Sequence, residues 1–164
     1  MTSYHMRRTE KQITDAVEFE AVLKNGTYTT VALCRGEEPY LVTMNYGYDE
    51  ERNALYFHCA REGQKIDFIV ANSRVCATVV EDHGYRMGEC DHAYRSLVIR
   101  GRMVVVEGLA EKKHALETML FHLEDDPDVV RQRQLKNEDA YRNVGILRLD
   151  VEHVTGKTGL RGAE

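Results

Sequence analysis

The residues best suited to chemistry lie directly after a predicted strand. After Cys59 the chain has a turn with Arg61 and Gly63, and a helix is predicted to begin at Gln64 and Lys65. The start of a helix presents free backbone N–H groups and a partial positive charge, so it favours an anion. Glycine at this point lets a ligand approach the backbone closely. Residues 61–65 therefore predict a phosphate-binding site, although the same residue types also occur at ordinary helix starts.

His58, just before this segment, is the second candidate for chemistry. On a strand it shares a face with Tyr56 and Ala60 and lies opposite Phe57 and Cys59. An imidazole on that face could contact a ligand or donate a proton. The periodicity fits a hydrogen-bonded structural histidine equally well.

Composition restricts the classes of protein to which the chain can belong. Its 164 residues include 27 acidic and 22 basic side chains, and the net charge is −5. Proteins that bind nucleic acid normally show a basic face, and none is visible here. No apolar run reaches the roughly 20 residues of a membrane span, and the polar residues 1–11 do not resemble a secretory signal. We therefore expect a cytoplasmic protein that binds neither nucleic acid nor membrane.

The four cysteines are too widely spaced to indicate a metal site or a disulfide framework. Cys34, Cys59, Cys76 and Cys90 contain no CxxC pair, so they predict reduced, buried thiols. Cys90 is close to His92, but without a second closely spaced pair the zinc signal is weak. We predict a polar loop there and no metal.

Hydrophobic periodicity predicts antiparallel strands with flanking helices. The expected strands are 27–34, 40–46, 54–60, 74–81, 94–107 and 144–154. The expected helices follow the capping residue Asp15 and span 63–72 and 110–123, with a further piece after Pro127. Residues 83–93 are expected to form a loop, and Gly101 a bend. The chain is expected to be a single domain, 1–164, with an arm at 1–13 and a flexible tail at 155–164. Because the order is not βαβ, an antiparallel barrel fits best.

The strand 74–81 has apolar residues on both of its faces. Such a strand is expected to be covered on both sides, as in the centre of a barrel or under a dimer contact.

Several motifs in fixed order add a family resemblance. They are Pro39-Tyr-Leu-Val-Thr-Met-Asn-Tyr-Gly-Tyr-Asp49, Leu55-Tyr-Phe-His-Cys-Ala60, Glu62-Gly-Gln-Lys-Ile-Asp67 and Tyr94-Arg-Ser-Leu-Val-Ile-Arg-Gly101. Together they resemble the Nim (5-nitroimidazole resistance) branch of the pyridoxamine 5′-phosphate oxidase-like flavoproteins. The similarity runs from about residue 6 to residue 150. It implies a mostly β fold with flanking helices (α+β), an antiparallel split β-barrel that binds FMN.

The resemblance also implies which residues contact the cofactor. Residues at these positions in the family lie beside the flavin ring and ribityl chain, hold the phosphate at the helix start, or reach the flavin from the long strand. In this chain the implied contacts are Val42, Thr43, Met44, Asn45, His58, Cys59, Arg61, Gln64, Lys65 and Ser96.

The family is built as a homodimer with both flavins at the interface. The resemblance therefore implies an FMN-dependent oxidoreductase that reduces nitro-aromatic small molecules with a nicotinamide donor, with His58 as a catalytic proton donor. The alternative is a non-catalytic module that carries FMN or haem for storage, sensing or transfer. A structural protein without cofactor is the third possibility.

One departure from the family argues against true pyridoxamine-phosphate oxidase activity. Those enzymes carry a C-terminal substrate segment with tryptophan and an arginine–histidine pair. This chain has no tryptophan, and its last ten residues are Thr155-Gly-Lys-Thr-Gly-Leu-Arg-Gly-Ala-Glu164. We therefore do not expect that activity.

Overall fold

Eight strands form one continuous antiparallel sheet in the computed structural model, which describes residues 6–160. Along the sheet the order is β3-β2-β6-β7-β8-β5-β4, and the short β1 pairs with the far end of β8. The strands are β1 (Gln12–Ile13), β2 (Tyr28–Arg35), β3 (Glu38–Asn45), β4 (Gly47–Asp49), β5 (Ala54–Cys59), β6 (Arg74–Arg86), β7 (Asp91–Val106) and β8 (Gly145–Thr158).

The sheet curls into a barrel that stays open on one side. β3 and β4 stand at opposite ends of the strand order, yet a single residue, Tyr46, joins them. β3 pairs with β2, and it approaches β5 without forming a ladder with it. We call the open line between β3 and β5, at the start of helix α2, the seam. The predicted mostly β (α+β) antiparallel split barrel is confirmed.

Five α-helices flank the sheet in the described part of the chain. They are α1 (Ala16–Asn25), α2 (Gln64–Ala71), α3 (Leu109–Leu123), α4 (Pro127–Gln134) and α5 (Glu138–Arg142). The predicted cap of α1 is confirmed, because the Asp15 carboxylate accepts a hydrogen bond from the Val17 N–H at 2.9 Å. None of the helices within residues 6–160 has the length and apolar character of a membrane span.

Alternation along β8 divides the core into two parts. Leu147 and Leu149 are fully buried inside the barrel, as the sequence predicted, among aromatic residues such as Phe57 and Phe68. Ile146 points the other way, into a smaller apolar cluster beneath α3. Full burial of each such side chain contributes about 1.5–3 kcal/mol relative to leaving it exposed. The larger cluster fills the barrel interior, and the smaller cluster packs the sheet against α3.

Helix α3 is fixed to the barrel by a buried carboxylate. Asp49 at the end of β4 is only 7% exposed, and His114 Nε2 lies 2.5 Å from its Oδ2. The Arg52 N–H donates to Oδ1 at 3.1 Å. Burial opposes ionisation of Asp49, but these two hydrogen bonds outweigh it and hold the pKa below its ordinary value. The ionised carboxylate therefore anchors α3 over β4 and β5.

Residues 83–93, predicted as a loop, instead extend a β-hairpin. β6 continues to Arg86 and β7 begins at Asp91, and these two side chains form an ion pair at 2.7 Å. The two glycines that suggested a loop have different positions in the hairpin. Gly84 lies in the register shift between the two strands, and Gly88 lies at the tip.

Residues 155–158 form the end of β8, so the predicted flexible tail is wrong for this part of the chain. They pair with β7, and two of them also pair with β1, whose residues 12–13 belong to the predicted arm. Gly156 is required by close packing, since a Cβ there would lie 2.6 Å from the Phe19 ring. Residues 1–5 and 161–164 of the predicted arm and tail lie outside the described residues. β4 and α5 were not predicted.

Strand 74–81 was predicted to be covered on both faces, but within one chain only one of its faces is buried. Val75, Ala77 and Val79 are buried in the barrel. Cys76 on the other side is half-buried, and Val80 is 48% exposed. The apolar second face therefore points away from the barrel interior.

Gly101 is predicted to be the most sensitive glycine of the long strands. The β7–β8 register shifts at this residue, which confirms the predicted bend, and a Cβ would lie 2.0 Å from the Asp150 carbonyl oxygen. We expect Gly101→Ala to lower the free energy of unfolding by about 2–4 kcal/mol, because the ladder must shift to relieve the clash. Urea unfolding measures this value.

The control is Gly108→Ala, where a Cβ meets no atom within 4 Å. Its unfolding free energy should change by no more than about 1 kcal/mol, because Gly108 is the N-cap of α3 and alanine is a poorer residue than glycine at that position. Equal stability of the two variants would contradict the steric account of the β7–β8 bulge.

Candidate functional site

Helix α2 begins at the seam with an uncapped first turn. Gly63 is the N-cap residue with φ 125°, and no side chain caps the helix. Its carbonyl accepts the N–H groups of Ile66 at 2.8 Å and Asp67 at 3.2 Å. Within residues 6–160, the N–H groups of Gln64 and Lys65 remain available to a ligand. An oxygen anion is the ligand that such a helix start favours.

The space in front of this turn is open. A Cβ added at Gly63 would meet nothing within 4 Å, and residues 61–64 are exposed. The positive φ explains why glycine occupies the position, since side chains rarely adopt this conformation. A group can therefore approach the helix start without displacing any described side chain.

Lys65 lies in the seam. Its side chain is half-buried, and Nζ lies 3.7 Å from the Sδ atom of Met44 on β3. A thioether is a weak acceptor, so this contact positions the ammonium group without neutralising it. Within the described residues neither Lys65 nor Arg61 forms an ion pair with a carboxylate. Two basic side chains that form no ion pair in residues 6–160 therefore lie at the start of α2, and the carboxylate lining the same small cavity as Arg61 is that of Glu107.

The edge of β3 supplies backbone groups along the seam. Val42 and Met44 face the barrel interior, whereas Thr43 and Asn45 face outward. The Thr43 hydroxyl is 2.9 Å from that of Thr30 on β2. The Asn45 side-chain amide donates to the carbonyl of Thr27, directly before β2, at 3.0 Å. In the part of the chain that the structure describes, β3 has a ladder partner only in β2. Its other edge leaves N–H and C=O groups open to a ligand.

Cys59 ends β5 on the interior side of the seam. The thiol is half-buried and lines a small cavity of about 80 Å³ together with Arg61, Ile66 and Lys112. Burial raises the pKa of Cys59, and the nearby charges of Lys65 and Lys112 only partly oppose this. The side chain is therefore a neutral thiol at neutral pH, suited to packing rather than to nucleophilic chemistry.

Lys112 was not among the residues singled out from the sequence. It is only 6% exposed and donates to the carbonyls of Arg142 at 3.1 Å and Val144 at 2.9 Å. It thereby joins α3 to the start of β8, below the cavity that Cys59 lines. The sequence did not predict that this lysine is buried, because the carbonyls that accept its hydrogen bonds lie in the distant segment 142–144.

Most of the predicted site residues come together at the seam. These are Val42, Thr43, Met44, Asn45, Cys59, Arg61, Gln64 and Lys65. The other two predicted site residues, His58 and Ser96, lie away from the seam of their own chain. His58 is exposed on the opposite face of β5, beside α3 and α4. Ser96 on β7 lies three strands from β3, about 14 Å at the usual strand spacing.

Comparison with known proteins identifies a family and several solved structures to which the chain is similar. The sequence pattern of the pyridoxamine 5′-phosphate oxidase family matches residues 15–158. A solved structure from Bacteroides thetaiotaomicron, provisionally assigned as a 5-nitroimidazole antibiotic resistance protein, is 31% identical. Its TM-score is 0.73, with 89% of this chain and 85% of that chain covered.

Two further proteins are similar over different shares of their length. A FAD- and haem-binding protein from Mycobacterium smegmatis has a TM-score of 0.71 at 18% identity, covering 94% of this chain and 76% of its own. At that identity the likeness concerns the fold alone. An uncharacterised protein of Rhizobium meliloti, RA0666, is 31% identical over 85 residues, which are 52% of this chain. The match spans half the length of that curated relative.

Proposed function

The chain belongs to the pyridoxamine 5′-phosphate oxidase family, and on that premise we propose that it is an FMN-dependent oxidoreductase. The observation that carries the proposal is the uncapped start of α2 beside two basic side chains that form no ion pair with any described residue, Arg61 and Lys65. A fold that binds flavin is common to this family and to the neighbour from Mycobacterium smegmatis.

The residues at the seam fit the phosphate of FMN. A dianionic group at the start of α2 would accept hydrogen bonds from the N–H groups of Gln64 and Lys65 and would neutralise the Lys65 ammonium. Arg61 adds a further donor from the turn. Gly63 leaves room for phosphate oxygens close to the backbone.

The rest of the seam suits a flat ring system. The open edge of β3 offers backbone donors and acceptors, while Cys59 and Met44 provide apolar contact surface. When bound, flavin supplies hydride and electron transfer. The residues of the chain hold the ring against β3, orient its polar edge and exclude water from its inner side.

We propose a nitro-aromatic or similarly electron-poor substrate and a nicotinamide donor. The support is the 31% identity over most of both chains with the Bacteroides protein linked to nitroimidazole resistance. The second candidate function is a non-catalytic carrier of flavin or haem. It is favoured by the fold shared with a FAD- and haem-binding protein and by the openness of the seam.

We also propose that two copies pair through the outer face, the side of β3, β2 and β6 that points away from the barrel. Three large apolar side chains are exposed there: Leu41 at 65%, Tyr28 at 56% and Val80 at 48%. Exposed apolar groups clustered on one face mark an interaction surface. Ser96 lies on this side of the sheet, in register with Val80. Pairing of two copies would let Ser96 of one copy reach the flavin of the other.

Lys65→Ala is expected to weaken FMN binding by about 10- to 100-fold, because a hydrogen bond to a charged group contributes about 1.5–3 kcal/mol. Titration of FMN with apoprotein, followed by flavin fluorescence, measures the dissociation constant. The control is Lys136→Ala, since that lysine is exposed and far from the seam in sequence. Equal affinity of the Lys65 and Lys136 variants would contradict the phosphate assignment.

The FMN-loaded protein is expected to oxidise NADH or NADPH when a 5-nitroimidazole is added, because bound flavin passes the hydride on as electrons. Loss of the near-ultraviolet absorbance of the reduced nicotinamide measures turnover. A flavin that neither donor reduces, or a Soret band in the purified protein, would favour the carrier function. His58 lies on the face of β5 away from the seam, so the predicted proton donor could reach a flavin only from another copy of the chain. His58→Ala tests that role: unchanged turnover and flavin affinity would remove it.

Leu41→Arg is expected to convert a dimer to a monomer, because it buries a charge in the proposed contact. Sedimentation velocity gives the oligomeric state, and flavin affinity should fall with it. Val17→Arg serves as the control, since Val17 is 70% exposed on α1 and lies outside this face. If the unsubstituted protein is a monomer, the pairing proposal is wrong.

A further inference from the structure

A second cavity lies on the outer side of β5, between the sheet and helices α3 and α4. Its volume is about 370 Å³, within the range of small-molecule sites. Three polar side chains face it, namely His58, Glu124 and Gln134. The apolar wall is formed mainly by Leu116, Met119, Leu120, Leu123, Val130 and Leu135.

This cavity is separate from the seam. His58 lines the second cavity and Cys59 lines the small cavity at the seam, and the two cavities share no lining residue. A ligand of the second cavity would not occupy the site proposed for FMN.

Helix α4 covers the cavity without filling it. None of the described residues of α4 is buried, and an isolated helix of this length is marginal in water. Arg131 attaches it to Glu117 of α3 through a bidentate ion pair, with the shortest contact at 2.5 Å. Val130 and Leu135 face the cavity and remain only half-buried. Protein interiors are normally close-packed, so this arrangement leaves apolar surface that a ligand can cover.

We propose that the cavity binds a neutral, largely apolar molecule of about two fused rings with one hydrogen-bonding group directed at His58. A cavity of roughly 150 Å³ holds one benzene, so this one has room for about two rings. The sulfur of Met119 favours aromatic rings as neighbours. Glu124 disfavours an anionic ligand, and the apolar wall makes burial of any charge costly. The inference goes beyond the proposed function and does not depend on it.

1-Naphthol is the probe, and isothermal titration calorimetry with the full chain measures its binding with and without FMN. We expect one site per chain and the same affinity in both conditions. Val130→Trp fills the cavity and should weaken binding at least about tenfold. Its matched control is the adjacent Val129→Trp, because Val129 is 41% exposed and does not line the cavity. Affinity of the control should stay within about twofold.

The hydrogen bond to His58 is tested with a pair of probes. His58→Leu should weaken 1-naphthol about five- to tenfold, the usual value of one hydrogen bond, and leave naphthalene unchanged. 1-Naphthoate should bind more weakly than 1-naphthol because of Glu124. Because the chain has no tryptophan, the fluorescence of Val130→Trp separately reports whether the new ring is shielded from water.

Several outcomes would overturn the inference. They are no binding of 1-naphthol, equal binding by the two tryptophan variants, tighter binding of 1-naphthoate, and binding that changes the oligomeric state. Competition between 1-naphthol and FMN would place the probe in the seam instead. Failure of FMN to bind at all leaves these measurements intact, so the two proposals fail separately.

Discussion

The open seam depends on one buried side chain, Tyr46, which joins β3 to β4. Its ring is fully buried and its hydroxyl donates to the Leu23 carbonyl at 2.7 Å. Burial raises the pKa of this hydroxyl, so it remains a donor across the physiological range. Because the chain passes here from one end of the strand order to the other, β3 approaches β5 without forming a ladder with it. The edge of β3 and the start of α2 are consequently left facing the same gap.

Local patterns predicted the parts of the fold that local physics decides. Apolar alternation in β8 and the glycine before Gln64 gave the strand faces and the helix start correctly. The hairpin at 83–93 and the end of β8 were missed because glycine serves two purposes. It occurs in loops, and it also occurs where another segment approaches closely, as Phe19 approaches Gly156. Only the tertiary structure distinguishes these cases.

The same limit applies to the candidate site. Sequence spacing brought Cys59 and Lys65 close together, and the structure has both at the seam. It also gave the face of His58 correctly, but not the element that covers that face. Helix α3 packs against β5 and α4 packs on α3, and both are distant from β5 in sequence. They give His58 different neighbours from Cys59. One strand thus has two chemically distinct sides at adjacent residues.

An anion bound at the start of α2 would also lengthen the lifetime of the folded protein. Two basic side chains lie there beside an eight-residue helix whose start has no side-chain cap, and a bound anion would accept hydrogen bonds from the free N–H groups of that start. A ligand that binds only the folded state adds to its stability by mass action. We therefore expect empty copies to be degraded faster than loaded ones. The cellular abundance of the protein would then follow the supply of that ligand without any dedicated sensor.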